Sequence, residues 1–361
     1  MSGQRAARRS AGVTYYPHVE SGALSVAGVA ALVVVVVFAF VLGISDAPNA
    51  SAVLIASRGA SYRRAMAFSF VVHAAGGLLA GQAVALTMTT IVRVSAAQLP
   101  GTYLAGGVAG LMFTLLLTRR GIPVSASIAI VGGLAGAAAV EAGWHAIGWG
   151  GFRGVRPYGV LGTLLAIVIS PLIGGLLAGA LRRLLGRLLH RASRDVLRSL
   201  RRMIWLTAGL VGLADGSNDG QKAMGLATGV LVASGSIHHF AVPLWVTATV
   251  AFALAAGTAA GGRRIVRTVS SRFYRGGPLD GVAAQSASAA AILGAAFLGA
   301  PVSTSTVVAS SMIGVGAARR RRHVHWPTVS GVIFAWICTV PACAILGACL
   351  IGLGRLSGAL P

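Results

Sequence analysis

Two apolar runs in this chain are each interrupted by a polar island, and that pairing limits what the chain can fold into more than any other feature. The run from Ile204 to Val232 contains Gly216-Ser217-Asn218-Asp219-Gly220-Gln221-Lys222. The run from Leu24 to Ile55 contains Gly43-Ile44-Ser45-Asp46-Ala47-Pro48-Asn49-Ala50, in which Gly43, Asp46 and Ala50 align with Gly216, Asp219 and Ala223. With 56 % apolar and 10 % charged residues, the chain has too little polar surface to clothe a water-soluble globule. Segments long enough to cross a bilayer appear at 24–42, 65–92, 101–118, 122–142, 158–181, 241–262, 282–317 and 328–354. Segments 203–214 and 223–234 are short and flank the second island.

The net charge of +23 comes from 30 Lys and Arg against seven acids, a balance that raises nucleic acid as a partner. The positions of the arginines argue against it. They cluster between apolar segments, at 58–64, 119–120, 182–202, 263–275 and 319–322, where cytoplasmic loops carry positive charge. Membrane lipids are the expected partner, and a homodimer is left open. Cys338, Cys343 and Cys349 lie together in the last apolar segment, without metal-site company, and read as small packing residues. Arg5, Arg8 and Arg9 precede a long apolar run with no small-residue cleavage site, which reads as an uncleaved span.

A second motif is also present twice. Pro123-Val124-Ser125-Ala126-Ser127 recurs as Pro301-Val302-Ser303-Thr304-Ser305. The aspartates are offset by 173 residues, these prolines by 178, and Pro171 and Pro341 by 170, so the chain reads as an internal duplication. Its expected parts are an N-terminal tail 1–23, a first transmembrane repeat 24–181, a basic amphipathic cytoplasmic linker 182–202, a second repeat 203–354 and a tail 355–361. Eight arginines and His190 mark the linker, with Leu184, Leu185, Leu188 and Leu189 interspersed. Putting the basic segments inside requires five crossings per half, and an odd number makes the repeats inverted. Arg5, Arg8 and Arg9 dissent, since this scheme places them outside. The expected fold is thus an all-α polytopic membrane protein with an inverted internal repeat of about ten transmembrane segments, broken or re-entrant at the Asp and Pro-Val-Ser motifs.

Both Asp islands have the composition of a helix break lining a cavity. Glycine frees the backbone, Pro48 suits the first turn of a new helix, and Ser45, Asp46, Asn218 and Asp219 can cap or ligate. A helix beginning there would aim free N–H groups and its positive dipole end at an anion. Asp46 and Asp219, with freed carbonyls, supply hard oxygens for Na⁺ or a proton path. The hydroxyls of Ser125, Ser127, Ser303, Thr304, Ser305 and Thr306 suit a tetrahedral oxyanion, although an intramembrane hydroxyl often bonds only its own helix. Lys222 adds a positive charge, either for the anion or to pair with an aspartate. His73, His238 and His239 read as interfacial or cavity-lining, with proton coupling as the alternative. Glu141 and Asp215 lie near segment ends and read as water-exposed, and Gln285 as a helix-packing hydrogen bonder.

These residues carry a likeness. The chain resembles the inorganic phosphate transporter (PiT) family, with phosphate and sulfate permease relatives, whose members bear a Gly-Ala-Asn-Asp-type signature and a Pro-Val-Ser-Thr-Thr-type motif in each of two inverted halves. The second half matches more closely, through 216–225 and 301–305. The resemblance implies secondary transport of inorganic phosphate, driven by H⁺ or Na⁺, across the cytoplasmic membrane by a multi-pass protein. It implies coupling ions at Asp46 and Asp219, Na⁺ ligation among Asp46, Asn49, Asn218 and Asp219, and no other cofactor. Phosphate would be held among Ser45, Asn49, Asn218, Lys222, Ser125, Ser127, Ser303, Thr304 and Ser305. Ser45 departs from the usual Asn, Ala126 and Ile128 from hydroxyl or histidine-type positions, and Thr306 from a common His. These losses thin the first-half ligand set.

Three other readings compete. A sulfate permease of the same architecture would carry another tetrahedral anion, but one that needs no acceptor for an O–H. An intramembrane aspartyl protease would use Asp46 and Asp219 as a proton-sharing dyad, yet matching repeated loops with Asn, Ser and Lys neighbours suit transport better. A degenerate repeat kept as a receptor is disfavoured by the retained Asp219 and Lys222.

Overall fold

The computed structural model describes residues 24–120, 125–191, 194–261, 276–319 and 326–358. Outside them fall tail 1–23 with its three arginines, Pro123 and Val124, basic loop 263–275, Arg320 to Arg322, and the end of the C-terminal tail. Eleven α-helices make up most of the described chain. They are α1 Val26–Ala56, α2 Tyr62–Leu78, α3 Ala83–Thr89, α4 Leu99–Arg119, α5 Ala126–Ala142, α6 Gly159–Leu188, α7 Arg194–Ala233, α8 Leu244–Ala260, α9 Pro278–Phe297, α10 Thr304–Arg319 and α11 Trp326–Leu356. A short antiparallel ribbon, β1 Gly151–Arg153 with β2 Arg156–Tyr158, leads into α6.

The protein is a membrane protein by the character of these helices. α1, α4, α6 and the Ile337–Leu356 part of α11 are each long and apolar enough to cross a bilayer. α2 and α3 make a further span if read as one, bent by 74° between them, and α5 and α8 are shorter apolar helices. On α6 the outward residues Leu161, Leu165, Val168, Leu172 and Leu176 are exposed, a stripe that suits lipid rather than water.

The expected helix breaks at the Asp islands are absent. α1 runs through Asp46 and on past Pro48, and α7 runs through the whole of 216–222, joining 203–214 and 223–234 in one helix. The reason lies in how the polar side chains are satisfied. Their partners come from neighbouring helices, so the backbone keeps its own bonds. Pro48 removes only the helical donor to the Ile44 carbonyl. The expected linker 182–202 is likewise not a separate element, because α6 continues to Leu188 and α7 begins at Arg194. Leu185 and Leu189 pack onto the core, whereas Leu184 and Leu188 face outward.

The motif glycines serve close helix crossings. A Cβ at Gly43 would sit 2.0 Å from the Leu254 carbonyl of α8, and one at Gly257 would sit 1.9 Å from the Phe40 carbonyl. The second island repeats the device. A Cβ at Gly216 would lie 2.3 Å from the His73 carbonyl of α2, and one at Gly76 the same distance from the Leu213 carbonyl. In a bilayer, burying apolar side chains against one another gains little over lipid, so such backbone contacts supply much of the packing energy.

Helix packing follows an exchange between the halves. α1 packs on α8 as α7 packs on α2, and α1 on α4 as α7 on α9. α5 packs on α11 as α10 packs on α6, so each of these helices finds a main neighbour in the other half of the chain. α1 and α7 also pack on each other, which brings the two Asp islands together at the centre.

Candidate functional site

The polar residues of the islands fall at helical spacing. Asp46 and Asn49 are three apart on α1, and Asp215, Asp219 and Lys222 are four and then three apart on α7. Each helix therefore presents one polar stripe, and all of these side chains are buried where the stripes face each other.

Asp46 and Asp219 meet at Thr304, the first residue of α10. Thr304 Oγ1 lies 2.9 Å from Asp219 Oδ2 and 3.3 Å from Asp46 Oδ1. Its single hydrogen can serve only one carboxylate at a time. Asp46 Oδ1 also accepts from Ser305 Oγ at 2.5 Å and from Asn49 Nδ2 at 3.2 Å.

Among the described residues Lys222 is the largest charged side chain wholly sealed from solvent, at 0 % exposure. Its ammonium donates to Asp219 Oδ1, to Ser127 Oγ at 2.6 Å and to the Val302 carbonyl. Those three bonds use all three of its N–H groups. Ser127 Oγ is also 3.1 Å from the Val302 carbonyl, so the two hydroxyl motifs converge on this ammonium.

Helix N-termini do reach the site, but they come from the hydroxyl motifs instead of the Asp islands. Ser125 caps α5, its Oγ accepting from Ile128 N at 3.2 Å. Ser303 precedes α10, and its carbonyl accepts from Thr306 Oγ1 and from Val307 N. Both helix starts carry positive dipole ends and hydroxyls at the same place.

The remaining expected residues take distinct positions. Asn218 holds the segment ahead of α10: its Nδ2 donates to the Ala300 carbonyl at 3.0 Å and its Oδ1 accepts from Val302 N at 3.2 Å. Ser45 is buried beside Asp46, and its Oγ has no hydrogen-bond partner among the described residues. Gln285 accepts from Thr207 Oγ1 at 2.8 Å and binds the helices as expected. Cys343 is buried, whereas Cys349 is exposed.

Two acids depart from their expected exposure. Glu141 is buried and paired to Arg355 Nη2 at 2.9 Å. Asp215 is fully buried, accepts from Asn49 Nδ2 at 2.9 Å and lies 3.8 Å from His73 Nε2. Its place one turn before Asp219 is the available signal, which its position near an apparent segment end conceals. By contrast, His238 and His239 are exposed.

The family model for the phosphate transporter family matches residues 42–347. The chain belongs to the phosphate transporter family. Within that family, a Bacillus subtilis (strain 168) protein named "Probable low-affinity inorganic phosphate transporter" is 32 % identical over 315 residues, covering 86 % of this chain and 92 % of its own length. A Rhizobium meliloti (strain 1021) protein of the same name is 33 % identical over 319 residues, covering 88 % and 93 %. The solved structure titled "The sodium-dependent phosphate transporter" shares the fold, with a TM-score of 0.82 at 21 % identity, over 92 % of this chain and all of that one. As a member of the phosphate transporter family the chain is a transporter type and not an enzyme, which removes the aspartyl protease reading.

Proposed function

We propose that this protein is a secondary active symporter that carries inorganic phosphate across the cytoplasmic membrane together with H⁺ or Na⁺. The observation that supports this most is the meeting of Asp46 and Asp219, one from each island, on the single hydroxyl of Thr304. Three carboxylates, Asp46, Asp215 and Asp219, are buried in the site, and the one buried ammonium, Lys222, pairs with Asp219 alone among the described residues. Adding an anion to such a site costs heavily unless positive charge enters with it, which is the physical basis of symport.

In this reading Asp46 and Asp219 take the coupling ion, with Asn49 and Asn218 beside them. The carboxylates and the Thr304 and Ser305 hydroxyls are hard oxygens that suit Na⁺ as co-transported cargo. Phosphate oxygens accept from Ser45, Ser125, Ser127, Ser303, Thr304 and Ser305 and from the N-termini of α5 and α10. Lys222 exchanges Ser127 or the Val302 carbonyl for a phosphate oxygen. Asp46 or Asp219 accepts the O–H of hydrogen phosphate, a bond that sulfate cannot make.

The exchanged packing of the halves favours an inverted repeat of about ten spans, with α2 and α3 counted as one crossing. The proposed parts are repeats 24–181 and 203–354, joined by basic segment 182–202. Access alternates as one set of helices moves against the other.

The test is uptake of labelled phosphate into proteoliposomes under an imposed H⁺ or Na⁺ gradient, with excess sulfate as competitor. Gradient-driven uptake untouched by sulfate supports the proposal and names the ion. Inhibition by sulfate, followed by direct sulfate uptake, would mean that the site is tuned to the other anion. No uptake by folded, correctly oriented protein under either gradient would end the symport reading.

A further inference from the structure

Beyond the coupling aspartates, the site contains a histidine whose hydrogen-bonding pattern is incomplete. His73, on α2, is fully buried, and its Nδ1 is 2.8 Å from the Ser69 carbonyl. A carbonyl only accepts, so Nδ1 carries the hydrogen and Nε2 of the neutral ring is a bare acceptor. That bare nitrogen faces another acceptor, Asp215 Oδ2, at 3.8 Å. Among the described residues Nε2 has no hydrogen-bond partner, and neither has Asp215 Oδ1.

Two acceptors turned towards each other in a site sealed from water repel unless a proton sits between them. The surroundings make the demand stronger. The charged groups that face the pair are Asp46 on α1 and Asp219 on α7, both acidic. Lys222 is spent beyond Asp219, and neither α8 nor α3 contains a titratable residue. Among the described residues, a proton shared between Nε2 and Asp215 is what removes this clash, and on Nε2 it supplies the positive charge closest to Asp215.

We propose that His73 is a proton-binding residue of this transporter, coupling H⁺ to phosphate by taking a proton on Nε2 against Asp215. The proposal rests on the symport reading above and adds a second place at which a proton is carried. Asn49 supplies the connection: its amide group donates both to Asp215 Oδ2 and to Asp46 Oδ1. Charging His73 offsets Asp215, lowers the negative potential at Asp46 and Asp219, and so favours entry of the anion. By reciprocity the bound anion favours protonation of His73.

The backbone holds His73 in place for this task. Gly216 of α7 packs directly on the His73 carbonyl, and a Cβ at Gly212 would lie 3.3 Å from Nδ1. The backbone at His73 is thus held close to the helix that carries Asp215, and the Nδ1 bond to Ser69 sets the direction of the ring.

The test combines transport with a direct reading of the ring. Proteoliposomes with wild type, His73→Gln and His238→Gln are given a pH gradient of about one unit, which supports about tenfold accumulation per coupled proton. We expect His73→Gln to lose the pH-driven accumulation and the pH dependence of its rate, while His238→Gln, altered at an exposed ring, matches wild type. In parallel, nitrogen NMR of ¹⁵N-histidine-labelled wild type, assigned by the signal missing from His73→Gln or from a second variant, His73→Asn, follows Nε2 from about pH 9 to about pH 5. A wild-type pH profile in His73→Gln, or an Nε2 that never gains a proton, would overturn the proposal. Should neither variant fold, selective labelling of the wild type at His73 alone, by semisynthesis, decides the matter through the same titration. Labelled-phosphate counterflow in wild type separates the two readings: its absence sinks phosphate transport, and the ring titration still decides whether His73 binds a proton.

Discussion

Lys222 on α7 donates to Ser127 near the start of α5, 2.6 Å away, and the same ammonium holds the Val302 carbonyl ahead of α10. One buried cation thus ties an Asp island to both hydroxyl motifs. Removing it strands Asp219 without a counter-charge. Lys222→Met is expected to destabilise the protein by about 3–5 kcal/mol, the range for breaking a buried pair from one side. The double variant Asp219→Asn with Lys222→Met regains most of that stability but transports no phosphate. Thermal unfolding in detergent and uptake in proteoliposomes read the two effects separately.

Thr304 is expected to be sensitive to loss of its hydroxyl and tolerant of loss of its methyl. Thr304→Val leaves Asp46 and Asp219 facing each other without their shared donor and costs about 1–3 kcal/mol. Uptake at low phosphate falls by about tenfold or more. Thr304→Ser keeps the bridge and stays within about threefold of wild type. Equal loss in both variants would show that the hydroxyl is not what matters.

Asn218 both donates to and accepts from the segment ahead of α10, so its nearest isostere is a poor substitute. Asn218→Asp turns a carboxylate oxygen towards the Ala300 carbonyl and removes one donor. Apparent phosphate affinity is expected to fall by about tenfold, about 1.4 kcal/mol, through displacement of Ser303 and Thr304. Saturation curves of uptake check this, and an unchanged half-saturation point would refute it.

Gly43 and Gly294 make a matched comparison. A Cβ at Gly43 meets the Leu254 carbonyl at 2.0 Å, whereas one at Gly294 meets nothing within 4 Å. Gly43→Ala is expected to lose about 1–3 kcal/mol by forcing α1 from α8. Gly294→Ala should be neutral or gain up to about 1 kcal/mol from helix propensity. Melting temperatures of the two purified variants decide the point.

Much of this arrangement was legible in the residues. The paired islands, the hydroxyl motifs and the apolar segments led to a helical membrane protein of the phosphate transporter family and to most of the side chains that converge. Local reading failed where composition suggested a break: Gly43, Pro48 and Gly216 resemble helix breakers, yet glycine also permits helices to touch, and only the neighbouring helix reveals which role applies. Asp215 and His73 are hard to rate from sequence for a related reason. Nothing near Asp215 in sequence announces Asn49 or His73, which approach from α1 and α2.

The exchange of α5 and α6 with α11 and α10 bears on how the chain is made. During synthesis the first half leaves the ribosome with most of its helices, α1, α2, α3, α5 and α6, lacking main neighbours that do not yet exist, and α11 follows only later. Nascent first halves must therefore wait in the bilayer with their small-residue faces uncovered, available to insertases or to a second nascent chain. Cutting the gene between the halves should leave two fragments that assemble when made together and are degraded when made apart.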